Sequence, residues 1–143
     1  MIEVFSCSED ETISLGIQIA KNLKTGSVVA LEGTLGSGKT YLSKGIALGL
    51  GIEDTITSPT FTIINEYKRD SLPSLYHIDV YRLNNENDFE EIGAVEIINS
   101  GGISIIEWSE RVKNYIPKDA ITISIQVTEE AKRKIIIKGL SKL

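Results

Sequence analysis

The stretch with the clearest chemical meaning is 33–40, which reads Gly-Thr-Leu-Gly-Ser-Gly-Lys-Thr. It fits G-x-x-x-x-G-K-[ST], the phosphate-binding P-loop. Glycines without a Cβ let backbone N–H groups wrap phosphate oxygens, and a helix that begins there adds the positive end of its dipole. We expect Lys39 to reach the β- and γ-phosphates and the Thr40 hydroxyl to ligate Mg²⁺. The alternative is a plain glycine-rich turn with Lys39 on the surface.

The whole loop and the residue after it are predicted to bind the nucleotide. These residues are Gly33, Thr34, Leu35, Gly36, Ser37, Gly38, Lys39, Thr40 and Tyr41. A P-loop holds a nucleotide but does not cleave it alone, because cleavage also needs an acid near the metal and a group that places the nucleophile.

Two acidic residues are candidates for those roles. Glu107 follows the apolar run 103–106, the Walker B pattern of a buried strand that ends in an acid, and it could hold Mg²⁺ through water. In a strand, His77, Asp79 and Tyr81 share one face. Asp79 could therefore hold a Mg²⁺-bound water or orient the attacking water, or this polar face could simply meet solvent. His77 is expected to satisfy local hydrogen bonds.

The candidate catalytic residues are thus Lys39, Asp79 and Glu107, and the candidate metal ligands are Thr40, Glu107 and Asp79. The hydroxyls of 57–62 could respond to a γ-phosphate as a switch, although a Ser-Pro turn before a strand is common. Arg82 and Arg111 could stabilise a transition-state charge or form surface ion pairs.

The elements that must position these residues follow from periodicity. Apolar 28–31 predicts a buried strand before the loop, and 41–50 predicts a helix after it. Ser8 and Glu11 have capping-box spacing for a helix that stops near Thr25. The remaining predictions are strands at 2–5 and 103–106, hairpins at 60–81 (turn 68–74) and 121–137, a helix at 88–98 and a helical turn at 108–115. This order predicts an α/β, P-loop NTPase-like fold, with a central mixed β-sheet flanked by helices.

Size and composition restrict the class of protein. The 143 residues predict a single domain over 1–143, and 41% hydrophobic with 24% charged residues is typical of a globular protein. We expect no transmembrane helix and no signal peptide. A lone cysteine, Cys7, fits a reducing cytosol and is expected to be a small apolar filler at a strand end. The net charge of −5 disfavours a nucleic-acid footprint. The basic cluster 132–134 with Lys138 is expected on a solvated hairpin edge.

Four segments in this order resemble the TsaE (YjeE) family of small bacterial P-loop ATPases, which are required for the threonylcarbamoyl (t6A) modification of adenosine 37 in certain tRNAs. They are the P-loop 33–40, Ser-Pro-Thr-Phe-Thr at 58–62, His-Ile-Asp-Val-Tyr-Arg-Leu at 77–83 and Ile-Glu-Trp at 106–108. Thr12 with Leu15 and Gly16, and 90–93, are weaker matches, so the resemblance covers nearly the whole chain.

The resemblance implies a cytoplasmic ATPase that binds and hydrolyses ATP with Mg²⁺ in a complex with TsaD and TsaB, and that meets tRNA only indirectly. It places Lys39 and Thr40 at phosphate and Mg²⁺, Glu107 at the metal, and Asp79 at the metal or the nucleophilic water. The segment 58–62 becomes a nucleotide-responsive loop. Trp108 would support the site or a partner surface, or it would pack in the core.

Two points lie at the margin of the resemblance. Thr34 stands where the family often has an acidic residue. Any role of that acid in hydrolysis or partner contact therefore cannot be carried over to this chain. The adenine side is weakly marked, with Glu11, Thr12 and Arg133 as candidates.

Three other functions compete with an ATPase. A small-molecule kinase needs an acceptor pocket and usually an arginine-bearing lid, for which 143 residues leave little room. A GTPase normally reads guanine with N-K-x-D, which does not occur in the sequence. A nucleotide-binding adaptor without useful catalysis would show the same sequence features as a slow ATPase that acts only inside a complex.

Overall fold

A computed structural model describes residues 1–33, 38–57 and 63–143 of the chain. The predicted residues Thr34, Leu35, Gly36 and Ser37, and the segment 58–62, lie outside this description. In chain order the elements are β1 (Ile2–Ser6), α1 (Glu9–Ala20), β2 (Val28–Gly33), α2 (Lys39–Gly49), β3 (Ile64–Arg69), β4 (Leu72–Asp79), α3 (Asp88–Glu91), α4 (Ala94–Ile98), β5 (Ile103–Glu107), a 3₁₀ helix (Ser109–Tyr115), β6 (Ile121–Val127) and β7 (Arg133–Lys138).

The seven strands form one sheet in the order β1-β7-β6-β2-β5-β4-β3. The four central strands β6, β2, β5 and β4 are parallel; β7 pairs antiparallel with β6, β1 antiparallel with β7, and β3 antiparallel with β4. All of β5 and the first four residues of β2 are buried, which explains why these strands are almost continuously apolar. The predicted α/β fold with a mixed sheet is confirmed.

Two hydrophobic cores lie on the two faces of the sheet. One core packs α1 and α2 against one face through Ile19, Leu42 and Ile46. The other packs α3, α4 and the 3₁₀ helix against the opposite face around Phe89. Side chains alternate along β4, so His77 and Asp79 are directed to the α2 face, while Ile78 belongs to the opposite core.

Helices α1 and α2 approach each other closely because glycines line their contact. A Cβ on Gly16 would come within 2.5 Å of the Leu42 carbonyl oxygen, and one on Gly45 would overlap the Ile13 carbonyl. The α1 end of this pair begins as predicted, since the Ser8 side chain caps the helix by accepting a hydrogen bond from the Glu11 N–H at 3.1 Å.

Three predicted element boundaries were wrong. The helix predicted over 88–98 is two short helices, because Gly93 adopts φ 82° and breaks it. The turn predicted over 68–74 is shorter: β3 extends to Arg69 and β4 begins at Leu72, with Ser71 at φ 58° between them. The strand predicted over 75–81 ends at Asp79, so Tyr81 lies outside β4.

Two surface predictions were also wrong. The basic cluster does not lie on a sheet edge, because β7 is covered by β1, and Lys134 Nζ lies 3.9 Å from Glu3 Oε1. Cys7 is exposed between β1 and α1 and fills no apolar space. Within the described residues, none of the helices has the length and apolarity needed to span a membrane.

We expect Gly45→Ala to destabilise the fold by about 2 kcal/mol or more, because the new methyl group would force α1 away from α2. Alanine in a helix interior without this constraint stabilises by up to about 1 kcal/mol over glycine, so the sign of the change is diagnostic. Urea unfolding would measure it, with the half-exposed Leu48→Ala of the same helix as the control, expected to cost no more than about 1 kcal/mol. A stabilised Gly45→Ala would contradict the close contact.

Candidate functional site

The site lies at the carboxyl ends of the central parallel strands, where ligands bind in open α/β sheets. Strand β2 ends at Gly33 and β5 ends at Glu107, which pairs with Leu31 on one side and with Asp79 of β4 on the other. Helix α2 begins at Lys39 in front of these strand ends. The topology therefore brings Lys39, Glu107 and Asp79 together, as the sequence predicted.

Lys39 is the buried cation of this site, with 6% of its surface exposed. Its Nζ donates a hydrogen bond of 2.7 Å to the Gly33 carbonyl oxygen and lies 3.5 Å from the centroid of the Trp108 ring. Burial lowers the pKa of Lys39 below its usual value, although the negative charges of Glu107, Glu110 and Asp79 act in the opposite direction. The alternative that Lys39 is a surface lysine is wrong.

Two buried carboxylates, Glu107 and Asp79, lie opposite each other on the paired strands β5 and β4. Glu107 is 3% exposed and its Oε2 lies 2.7 Å from Nε2 of His77. Asp79 is 9% exposed and its Oδ1 accepts the Tyr81 N–H at 2.9 Å. His77 is itself only 1% exposed, so the alternative in which this face of β4 meets solvent is wrong.

The donor set suits magnesium better than a metal that needs a protein cage. Mg²⁺ favours oxygen ligands, keeps several waters and is usually bound by one or two carboxylates with substrate phosphates. Thr40, the second residue of α2, offers a hydroxyl, and Glu107 and Asp79 offer carboxylates. In the part of the chain that is described, no three His, Cys, Asp or Glu side chains are grouped so that they could hold a metal by themselves. These residues fit an ion that is shared with a nucleotide.

The residues predicted for the adenine side meet beside Gly38. A Cβ built on Gly38 would lie 3.7 Å from Nε of Arg133 and 4.0 Å from the Thr12 methyl group. A hydrogen bond to Glu9 and that carboxylate's charge raise the pKa of Tyr41, while Arg133 acts in the opposite direction. Arg133, Thr12 and Tyr41 therefore surround the start of α2.

The hydroxyl groups and carboxylates at the start of α1 have structural partners. Thr12 Oγ1 lies 2.7 Å from Ser6 Oγ and donates to the Ser8 carbonyl oxygen. Only its methyl group is directed towards Gly38. Glu11 accepts the Cys7 N–H at 2.5 Å, so this adenine-side candidate holds the turn before α1.

A row of aromatic contacts connects the buried lysine with the surface. Trp108 adopts a left-handed backbone conformation, φ 61° and ψ 38°, directly after β5. Its ring lies 4.8 Å from that of Tyr81, which is 44% exposed, and the Arg111 guanidinium lies 5.0 Å from the Tyr81 ring. Trp108 thus contacts the site through Lys39 and also packs against the core under the 3₁₀ helix.

The sequence analysis missed two arrangements. The pairing of His77 with Glu107 was missed, although their positions on neighbouring parallel strands were predictable from the two apolar runs. The stacking of Tyr81 on Trp108 has no sequence signal, because Tyr81 lies beyond the end of β4. Arg111 donates hydrogen bonds to the carbonyl oxygens of Tyr81, at 2.8 Å, and Leu83. This candidate for charge stabilisation therefore connects the 3₁₀ helix with the segment that follows β4.

Comparisons with known proteins identify relatives of this chain. Residues 6–135 match the family model described as "Threonylcarbamoyl adenosine biosynthesis protein TsaE". A tRNA threonylcarbamoyladenosine biosynthesis protein TsaE from Treponema pallidum is 45% identical over 92% of this chain and 96% of its own length. The corresponding Bacillus subtilis protein is 40% identical over 88% of this chain and 78% of its own length. A crystal structure of Bacillus subtilis YdiB superposes with a TM-score of 0.79 and 34% identity, covering 94% of this chain and 82% of that chain.

Trp108 is the single tryptophan, so its fluorescence reports on the ammonium group beside it. We expect Lys39→Met to change the emission of the nucleotide-free protein, because the cation leaves the indole face. Adding ATP and Mg²⁺ to the unsubstituted protein should change the emission too, since phosphates attract Lys39 away from the ring. The exposed Lys138→Met is the control and should match the unsubstituted protein. Unchanged emission in both experiments would contradict the contact.

Proposed function

The chain belongs to the TsaE family and acts in the biosynthesis of threonylcarbamoyladenosine in tRNA, and we propose that it does so as a magnesium-dependent ATPase. In this proposal it binds and hydrolyses ATP in the cytoplasm as an accessory component of a complex with TsaB and TsaD. One juxtaposition carries the proposal: the buried Lys39 ammonium stands at the start of α2, facing the Glu107 and Asp79 ends of parallel strands.

Phosphate binding is supported by the present partners of Lys39. A backbone carbonyl and an indole face are neutral, so a phosphate oxygen is the stronger partner for the ammonium group. The positive end of the α2 dipole and its first N–H groups favour the same anion. Lys39 would thus exchange the Gly33 carbonyl for the β- and γ-phosphates.

Thr40, Glu107 and Asp79 are the residues that would hold the ion or its waters. When bound, Mg²⁺ neutralises charge on the β- and γ-phosphate oxygens. Glu107 is assigned to the metal. Asp79 is assigned either to a metal-bound water or to the attacking water, and the Tyr81 N–H on Oδ1 orients its carboxylate for either role. Burial of both carboxylates would strengthen their attraction to the Mg²⁺ cation.

The nucleoside half of ATP is assigned to the group beside Gly38. Arg133 offers a planar cation that stacks on aromatic faces, and the Thr12 methyl group offers an apolar contact. Tyr41 adds a ring on the same side of α2. This arrangement supports binding of a nucleotide across the N-terminus of α2.

The accessory role rests on family membership together with one feature of the surface. Tyr81 is partly exposed and stacks on Trp108, which touches Lys39, so the phosphate site has a contact that a partner can reach. Contact with tRNA is assigned to the partners, because a net charge of −5 is unfavourable for binding a polyanion directly.

Lys39→Ala should reduce ATP hydrolysis on the order of 100-fold or more while the protein stays folded, because the buried cation for the phosphates is lost. Phosphate release and ATP binding would be measured on the same preparations. Lys138→Ala, which removes an exposed lysine of β7, is the matched control and should retain hydrolysis. Normal hydrolysis by Lys39→Ala would refute the site assignment.

The isolated chain should hydrolyse ATP slowly, and addition of TsaB and TsaD should increase the rate. Phosphate release with and without the two proteins, and co-purification with and without ATP, would test this. Faster phosphate transfer to a small-molecule acceptor than to water in the presence of the partners would favour a kinase. Partner binding without any hydrolysis would favour a nucleotide-binding adaptor.

A further inference from the structure

His77 and Glu107 form a buried pair that no role assigned above explains. Nε2 of the imidazole lies 2.7 Å from Oε2 of the carboxylate, and the two residues are 1% and 3% exposed. Burying a polar pair so deep in the protein carries a desolvation cost that its own hydrogen bond does not always offset. Such a pair therefore calls for a functional explanation. The pair stands directly behind the strand ends that carry Glu107 and Asp79.

We propose that His77 is a positioning residue that donates its Nε2–H to Oε2 of Glu107 and so keeps the other carboxylate oxygen, Oε1, for Mg²⁺ or its water. This inference rests on the proposed ATPase function. It assigns a task to a residue outside the predicted catalytic and metal-binding sets.

The direction of the hydrogen bond follows from the chemistry of the two groups. A metal-binding glutamate is a carboxylate and can only accept, so the hydrogen must be on Nε2. In the described part of the chain, Nδ1 of His77 has no hydrogen-bond partner. With the hydrogen on Nε2 and none on Nδ1, the ring leaves a bare acceptor there rather than an orphaned donor.

His77 is poorly suited to bind the metal itself. Its Nε2 is occupied by Glu107 and Mg²⁺ prefers oxygen ligands. The register also sets it back, because His77 pairs with Ile105 while Asp79 pairs with Glu107 at the strand ends. Its effect on the ion must therefore pass through the carboxylate of Glu107, in the way that outer partners orient metal ligands.

The alternative partner of Glu107 shows why positioning matters. Among the carboxylates whose charge raises the pKa of Lys39, Glu107 has the largest effect. A Glu107 side chain without the histidine would leave Oε2 buried without its donor, and the Lys39 ammonium would satisfy it. Lys39 would then be paired with Glu107 instead of phosphate.

The tautomer can be observed directly, because His77 is the only histidine of the chain. Long-range ¹H–¹⁵N correlation spectra of the unsubstituted protein would show which ring nitrogen carries the hydrogen. We expect a hydrogen on Nε2. A bare Nε2 overturns the proposal. This measurement needs neither nucleotide nor metal, so it is independent of ATP hydrolysis.

A pair of substitutions tests the effect on the metal. His77→Gln keeps an N–H donor close to the position of Nε2, whereas His77→Leu removes it. Calorimetry with a non-hydrolysable ATP analogue would give the Mg²⁺ concentration for half-maximal enhancement of binding. We expect it to rise about 10- to 100-fold in His77→Leu and to return to within a few-fold of the unsubstituted value in His77→Gln.

Ile105→Val, at the position that pairs with His77, is the control for a general loss of packing and should leave the Mg²⁺ dependence unchanged. Equal Mg²⁺ dependence in the leucine variant and the unsubstituted protein overturns the proposal. So does a folded glutamine variant without recovery. If the leucine variant does not fold, the glutamine variant and the tautomer still decide.

The two proposals can fail separately. Failure of the unsubstituted protein to hydrolyse ATP, with or without TsaB and TsaD, would refute the ATPase. The Mg²⁺ dependence of analogue binding would then decide the role of His77. Hydrolysis with a bare Nε2 would support the ATPase and overturn the role of His77.

Discussion

The charge of Lys39 must be kept inside the protein, and much of the site is arranged around that constraint. Burial lowers the pKa of its ammonium group, while nearby carboxylates favour the charged form. The Gly33 carbonyl oxygen and the Trp108 ring supply direct contacts. None of these partners neutralises the cation as an adjacent carboxylate would, so the lysine stays available for an anion.

The order of the parallel strands makes this arrangement possible. Strand β2 delivers the start of the loop, while β5 and β4 place Glu107 and Asp79 side by side at the same edge of the sheet. Buried apolar residues fix the register of each strand, since a shift by one residue would turn the carboxylates to the opposite face. The position of the acids is therefore encoded in the apolar residues that precede them.

That encoding explains which parts of the structure were predictable. The loop motif, the apolar runs before Gly33 and Glu107 and the hairpin signals led to the mixed sheet and to the Lys39, Glu107 and Asp79 group. Local patterns did not reveal that Gly93 would break a helix or that β4 would end at Asp79, because tertiary packing sets such boundaries. The contact of Trp108 with Lys39 depends on a left-handed residue after β5, which no periodicity encodes.

The glycine contact between α1 and α2 couples the two helices that carry the proposed nucleotide site. Thr12 belongs to α1 and Lys39 to α2, and the helices meet so closely at Gly16 and Gly45 that a side chain on either glycine would not fit between them. The residues proposed for the nucleoside and those proposed for the phosphates are therefore carried by two helices in direct contact. In the proposed ATPase, a hinge between these helices would break that contact, so we expect nucleotide exchange to involve the side of the site where Trp108 and Tyr81 follow the central strands.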